Sequence, residues 1–120
     1  MIAKPKNLSA VTDLTQLPGR VNVVNADEVL AYLAQYPELI PILPDLCAKT
    51  RAEFGDEAEL QLELVHDYEI YDPHLVLCVR LRNYDDTVLP RIFAIDAIFE
   101  DRLTDAEGWL SLTTDFRTLR

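Results

Sequence analysis

The stretch ELQLELVHDYEIYDPHLVLCVRLR, residues 59–82, decides how the chain folds, because alternation runs through both of its halves. Leu60, Leu62 and Leu64 share one parity with His66, while Leu75, Leu77, Val79 and Leu81 share another from which His74 is excluded. A period of two sends successive side chains to opposite faces, so residues 59–66 and 75–82 read as antiparallel strands with one apolar face each. For both apolar sets to meet one core, an even-numbered residue must stand opposite an odd-numbered one. The simplest such register sets His66 opposite Leu75, Leu64 opposite Leu77 and Leu62 opposite Val79. On the other face it brings Glu59 to Arg82 and Gln61 to Arg80, pairs contributing about 0.2–1 kcal/mol each. The same parity places His66 and His74 on opposite faces, where they cannot share a metal ion. Residues 67–74 are then a hairpin loop, with Asp67, Glu69 and Asp72 as solvated acids at its tip or as partner contacts.

Helices are expected on both sides of this hairpin. Residues 1–24 lack a clean period and are broken by Pro5, Pro18 and Gly19, which reads as an N-terminal arm with at most one helical turn ahead of a single domain over residues 25–120. Asn25, with Glu28 three residues on, forms a capping-box pattern for a first helix whose face is Val29, Leu30, Leu33 and Tyr36, and Pro37 stops it. A second helix tolerates Pro41 and Pro44 if both fall in its first turn, and it lines Leu43, Leu46, Cys47, Thr50 and Phe54 along one stripe up to Gly55. After the hairpin, Asp85 or Asp86 caps a long helix to about Leu103. Its apolar sector of Val88, Ile92, Ile95, Phe99 and Leu103 is flanked by Leu89, Phe93 and Ile98, with Asp96 projecting inside it, so the helix is expected to be buried widely between the sheet and the helical hairpin. In GWLSLTTDFR, residues 108–117, Leu110, Leu112, Thr114 and Phe116 point inward and Trp109, Ser111, Thr113, Asp115 and Arg117 outward. The expected fold is therefore α+β in the order ααββαβ, a three-stranded sheet with its helices on one face.

Charge is distributed unevenly. The net charge is −10, yet residues 21–107 hold 6 Lys/Arg against 19 Asp/Glu while the two ends hold 5 against 2. Such a body repels phosphate backbones, which argues against a nucleic-acid partner. No apolar run is long enough for a membrane span and no secretory h-region follows Met1, so the expected compartment is the cytoplasm. Cys47 and Cys78 are 31 positions apart in apolar surroundings, with no CxxC and no zinc spacing, and read as buried thiols.

Single glycines at 19, 55 and 108 leave no phosphate-cradling loop, and the GxSxG, HExxH and EF-hand patterns are missing. No cofactor, metal or enzyme signature is therefore expected. Function is read instead from the uncovered sheet face. There Arg80, Arg82, Trp109, Thr113, Asp115 and Arg117 form the candidate interface, since Trp and Arg are enriched at binding hot spots.

HDYEIYDPHLVLCVRLRNY and GWLSLTTDFR resemble segments of a small, uncharacterised group of prokaryotic proteins with a DPE-like turn, an apolar strand and a terminal GW-TTDFR segment. The resemblance covers roughly residues 27–117, and Asp67-Tyr68-Glu69 stands where that turn has a proline. It implies the α+β layout and transfers no activity. The expected role is a protein-interaction module, for instance an acidic partner or toxin-neutralising protein, binding a protein or a second copy through the open face. The alternative is a small hydrolase or ligand-binding protein using Asp96 or the outer face.

Overall fold

The computed structural model describes Leu17 and residues 21–67 and 70–117, of which residues 67 and 70–72 are described by backbone alone. The remainder of the arm, including Leu8, Val11 and Leu14, lies outside the described residues, as do the side chains of Asp67, Glu69 and Asp72. The elements run β1 (Asn22–Val23), α1 (Ala26–Gln35), a 3-10 turn (Pro37–Leu39), α2 (Ile42–Phe54), β2 (Glu59–Asp67), β3 (Ile70–Arg80), α3 (Val88–Asp105) and β4 (Leu110–Thr113). The fold is mixed α+β, and the expected three-stranded sheet is corrected to one with four strands among the described residues, in the order β1-β2-β3-β4. The added strand comes from the end of the arm. Asn22 and Val23 run parallel to β2 opposite Gln61 and Leu62, too few residues to show any alternation in the sequence.

The hairpin keeps the expected parity and shifts by two residues. Leu64 pairs with Leu75, Leu62 with Leu77 and Leu60 with Val79, because both strands continue to Asp67 and Ile70 instead of opening into a loop at 67–74. The register slips once between Val65 and Asp67. Leu60, Leu62, Leu75, Leu77 and Val79 are all fully buried, and each contributes roughly 1.5–3 kcal/mol relative to exposure. They form one core with Val29 and Leu33 of α1, Leu43, Leu46 and Cys47 of α2, Ile92, Ile95 and Phe99 of α3, and Leu110 and Leu112 of β4.

Local chemistry explains most helix boundaries. Asn25 does sit at the N-cap of α1, but its backbone is left-handed, with φ 51°, and its side chain makes no capping bond. Glu28 accordingly does not close a capping box; its carboxylate approaches His66 Nε2 at 3.6 Å. Pro41 caps α2 and Pro44 lies in its first turn, where amide hydrogens lack carbonyl partners in any case. Thr50, buried on the inner face of α2, satisfies its hydroxyl by donating to the Leu46 carbonyl at 2.7 Å. Gly55 ends α2 with φ 88°, a conformation that costs glycine little. At the start of α3, Asp85 accepts from the Thr87 amide at 2.8 Å and the Thr87 hydroxyl at 2.6 Å.

Two expectations about burial are corrected. The buried stripe of α3 is narrow: Val88, Ile92, Ile95 and Phe99 are buried, while Leu89, Phe93 and Ile98 remain 40%, 62% and 57% exposed. Phe116 was expected to face the core with Leu110, Leu112 and Thr114. Instead β4 ends at Thr113 and Phe116 takes φ 60°, which swings its ring out to lie 5.4 Å from that of Tyr84. The crossover through α3 makes β4 parallel to β3, with Leu110 beside Leu75 and Thr113 beside Cys78. Among the described residues, no helix is long and apolar enough to cross a membrane.

Candidate functional site

The groups singled out from the sequence for the outer face of the sheet do not form one cluster. Trp109 precedes β4 and Asp115 follows it. At about 3.3 Å per residue, those six steps span roughly 20 Å. Arg80, Asp115 and Arg117 lie at one end, and Trp109 lies at the other beside His74.

At the first end, Arg80 is consumed by its neighbours. Its Nε donates to Asp115 Oδ1 and Oδ2 at 3.3 and 3.2 Å, its Nη2 donates to Oδ2 at 2.9 Å, and its Nη1 donates to Gln61 at 2.9 Å and Glu59 at 3.4 Å. Asp115 also accepts the Arg117 amide at 3.0 Å. These bonds favour the charged forms. The bidentate contact with Asp115 raises the Arg80 pKa, and the same contact holds the Asp115 carboxyl below the usual range. A guanidinium with its donors engaged, only 16% exposed, has little left to offer a partner.

Arg82 does not join this group. It lies past the end of β3, highly exposed, with Nη2 3.3 Å from Glu57. Thr113 is exposed at the end of β4, and Arg117 is exposed beyond it, its carbonyl accepting the Tyr84 hydroxyl.

The second end is built around Trp109. Its indole stacks on the His74 ring, with centroids 4.1 Å apart and planes at 21°, and the residue remains 44% exposed. His66 points to the helical side toward Glu28, so the two histidines do occupy opposite faces. The backbone at Trp109 is fixed from α1 and the 3-10 turn. The Trp109 amide donates to Tyr32 Oη at 2.8 Å, and Glu38 accepts the Glu107 and Gly108 amides at 2.8 and 2.9 Å. Those amide bonds, Gly108 first, lower the Glu38 pKa. Gly108 lets the segment come this close, since a Cβ there would stand 2.7 Å from Leu39 Cδ1 and from Tyr36 Cβ.

Beside Trp109 a cleft of about 410 Å³ opens, lined among the described residues by Tyr32, Gln35, Tyr36, Pro73, Glu107 and Trp109. The Tyr32 and Tyr36 rings meet at 4.8 Å, and the Gln35 amide donates to the Tyr36 hydroxyl at 3.3 Å. Sequence reading identified Trp109 but missed Tyr32, Tyr36, Glu38 and Glu107. The only signal for them was two tyrosines four apart on one helix, and Tyr36 was already assigned to its core face.

Other candidate groups stand alone. Asp96 is half-buried on α3, where desolvation raises its pKa, and no hydrogen bond or ion pair reaches it among the described residues. Burial pushes the Cys47 thiol up to about 12 and also raises that of Cys78, so neither is a ready nucleophile. No three metal-ligating side chains come together among the described residues. Comparison with protein families, curated proteins and solved structures gave no match to the chain.

Proposed function

We propose that this is a protein-interaction module that docks its partner at the Trp109 end of the open sheet face. The observation that carries this reading is a residue left 44% exposed whose indole stacks on His74 and whose backbone is tied by the Tyr32 hydroxyl and, at Gly108, by the Glu38 carboxylate. An aromatic already immobilised loses little conformational entropy on binding, which is how tryptophan becomes a hot spot. Thr113 and Arg117 extend the contact surface along β4, whereas Arg80 and Asp115 serve to brace it.

The acidic body favours a basic protein partner, such as a toxin that it neutralises, and disfavours nucleic acid. A second copy is the other docking partner that the open face could take. The cytoplasm suits this role, since Cys47 and Cys78 are buried free thiols.

The test is Trp109→Ala, read by sedimentation velocity for self-association and by binding to any stoichiometric protein co-purified from the native cells. The expected loss is more than about 1 kcal/mol in association, with the urea midpoint little changed. Arg117→Ala should weaken the contact less and alter its salt dependence. Unaltered association in Trp109→Ala refutes the proposal.

A further inference from the structure

We infer that the cleft between α1 and residues 107–109 binds an organic cation, an ammonium or guanidinium group carried on an aliphatic stem. This rests on reading the Trp109 end as the contact surface and names the chemistry that surface accepts.

Three aromatic residues line the cleft: Tyr32 from the last turn of α1, Tyr36 at its C-cap, and Trp109. Aromatic faces carry negative electrostatic potential and attract cations within about 6 Å of the ring centroid. The rest of the described lining adds negative charge and no positive charge. Glu107 is exposed at the rim, and no ion pair holds its carboxylate among the described residues. Glu38 lies just behind with its carboxylate accepting two amides, so its charge is retained.

The same bonds exclude an anionic ligand. The amides of residues 107, 108 and 109, the donors an anion would need, are already spent on Glu38 and Tyr32. A neutral apolar ligand would gain nothing from the Glu107 carboxylate at the rim. About 410 Å³ is room for a tetraalkylammonium head, or for the end of a lysine or arginine side chain with its stem along Pro73.

Trp109 is the one tryptophan in the chain, so its emission reports the cleft directly. The probes are tetramethylammonium, choline, and lysine and arginine capped at both termini, each matched with sodium chloride, and the neutral tert-butyl isostere of choline as control. A saturable emission change is expected for at least one cation, with a dissociation constant on the order of 1 mM, and none for the isostere. Glu107→Gln should weaken that cation about threefold to tenfold with the urea midpoint unchanged. Preference for the capped amino acids identifies a protein side chain as the natural occupant, and preference for choline a free quaternary amine.

The inference is overturned if no cation perturbs Trp109 up to about 50 mM, well above the expected range. It is equally overturned if the isostere matches the cations or Glu107→Gln leaves the affinity intact. Failure of the cations while Trp109→Ala still abolishes partner binding would remove this inference and leave the docking reading standing. Cation binding with association unchanged in Trp109→Ala would do the reverse.

Discussion

Replacing Gly108 by alanine probes the junction that holds Trp109 in place. The new methyl carbon would stand 2.7 Å from Leu39 Cδ1, 2.7 Å from Tyr36 Cβ and 2.8 Å from Tyr36 Cγ, against an optimum of about 3.5–4.0 Å for carbon pairs. Leu39 is fully buried and has no room to rotate away. Tyr36 Cβ is bonded to the backbone, so no rotamer change moves it, and one of the two chain segments must retreat by about 1 Å. Overpacking of this kind costs about 1–3 kcal/mol. A retreat of residues 107–109 would also lengthen the amide bonds to Glu38 and Tyr32, each contributing about 1 kcal/mol. The lower backbone entropy of alanine in the unfolded chain returns about 0.4–1 kcal/mol. The net expectation is a destabilisation of about 2–4 kcal/mol, measured as a lower urea midpoint at unchanged m-value. The native-state emission of Trp109 should shift as well, because its backbone is anchored at the next residue. A loss below about 0.5 kcal/mol with unaltered emission would show that the junction has slack and would refute the argument.

Three further outcomes follow from the geometry. A double-mutant cycle of Arg80→Ala and Asp115→Ala should give a coupling of about 1 kcal/mol in urea unfolding, the bidentate geometry being offset by the exposure of Asp115; a coupling near zero would make the pair ornamental. Glu38 and Asp115 have depressed pKa values in the fold, so each stabilises above its unfolded pKa and loses that contribution as pH falls through the folded value; Asp115→Asn should flatten the acid limb of the stability curve. Asp96 has a raised pKa and no compensating partner among the described residues, so Asp96→Asn should raise the midpoint at neutral pH, with the gain vanishing below the unfolded carboxyl pKa; a loss at neutral pH would reveal a role for the charge.

The sequence carried the hairpin's parity because Leu60, Leu62 and Leu64 can reach the core beside Leu75, Leu77 and Val79 in only one sense of alternation. It could not fix the register, since a slip of two residues preserves both faces, and only the distance to the turn distinguishes the two pairings. Pro37 and Gly55 marked helix boundaries through local backbone chemistry, whereas the direction of β4 depends on the α3 crossover and leaves no trace in alternation. Phe116 misled because a single positive φ reverses a strand's inward and outward order. In the site, Trp109 was legible as an outward aromatic. Its supports were not, since Tyr32 and Glu38 lie 77 and 70 positions from the amides they accept.

The strand order β1-β2-β3-β4 follows chain order, so no strand has to insert between two that are already paired. The β2–β3 hairpin, paired as far as Asp67 and Ile70, requires the least loop entropy and forms the middle of the sheet. It can therefore nucleate folding, while β1 and β4 attach afterwards through their helical crossovers. The strand that sets Trp109 in place is then among the last to dock. It is also more easily released than the hairpin: amide exchange should be slowest at Leu62 and Leu77 and faster along Leu110–Thr113. The end of the face that carries Trp109 would thus be able to open locally without unfolding the hairpin beside it.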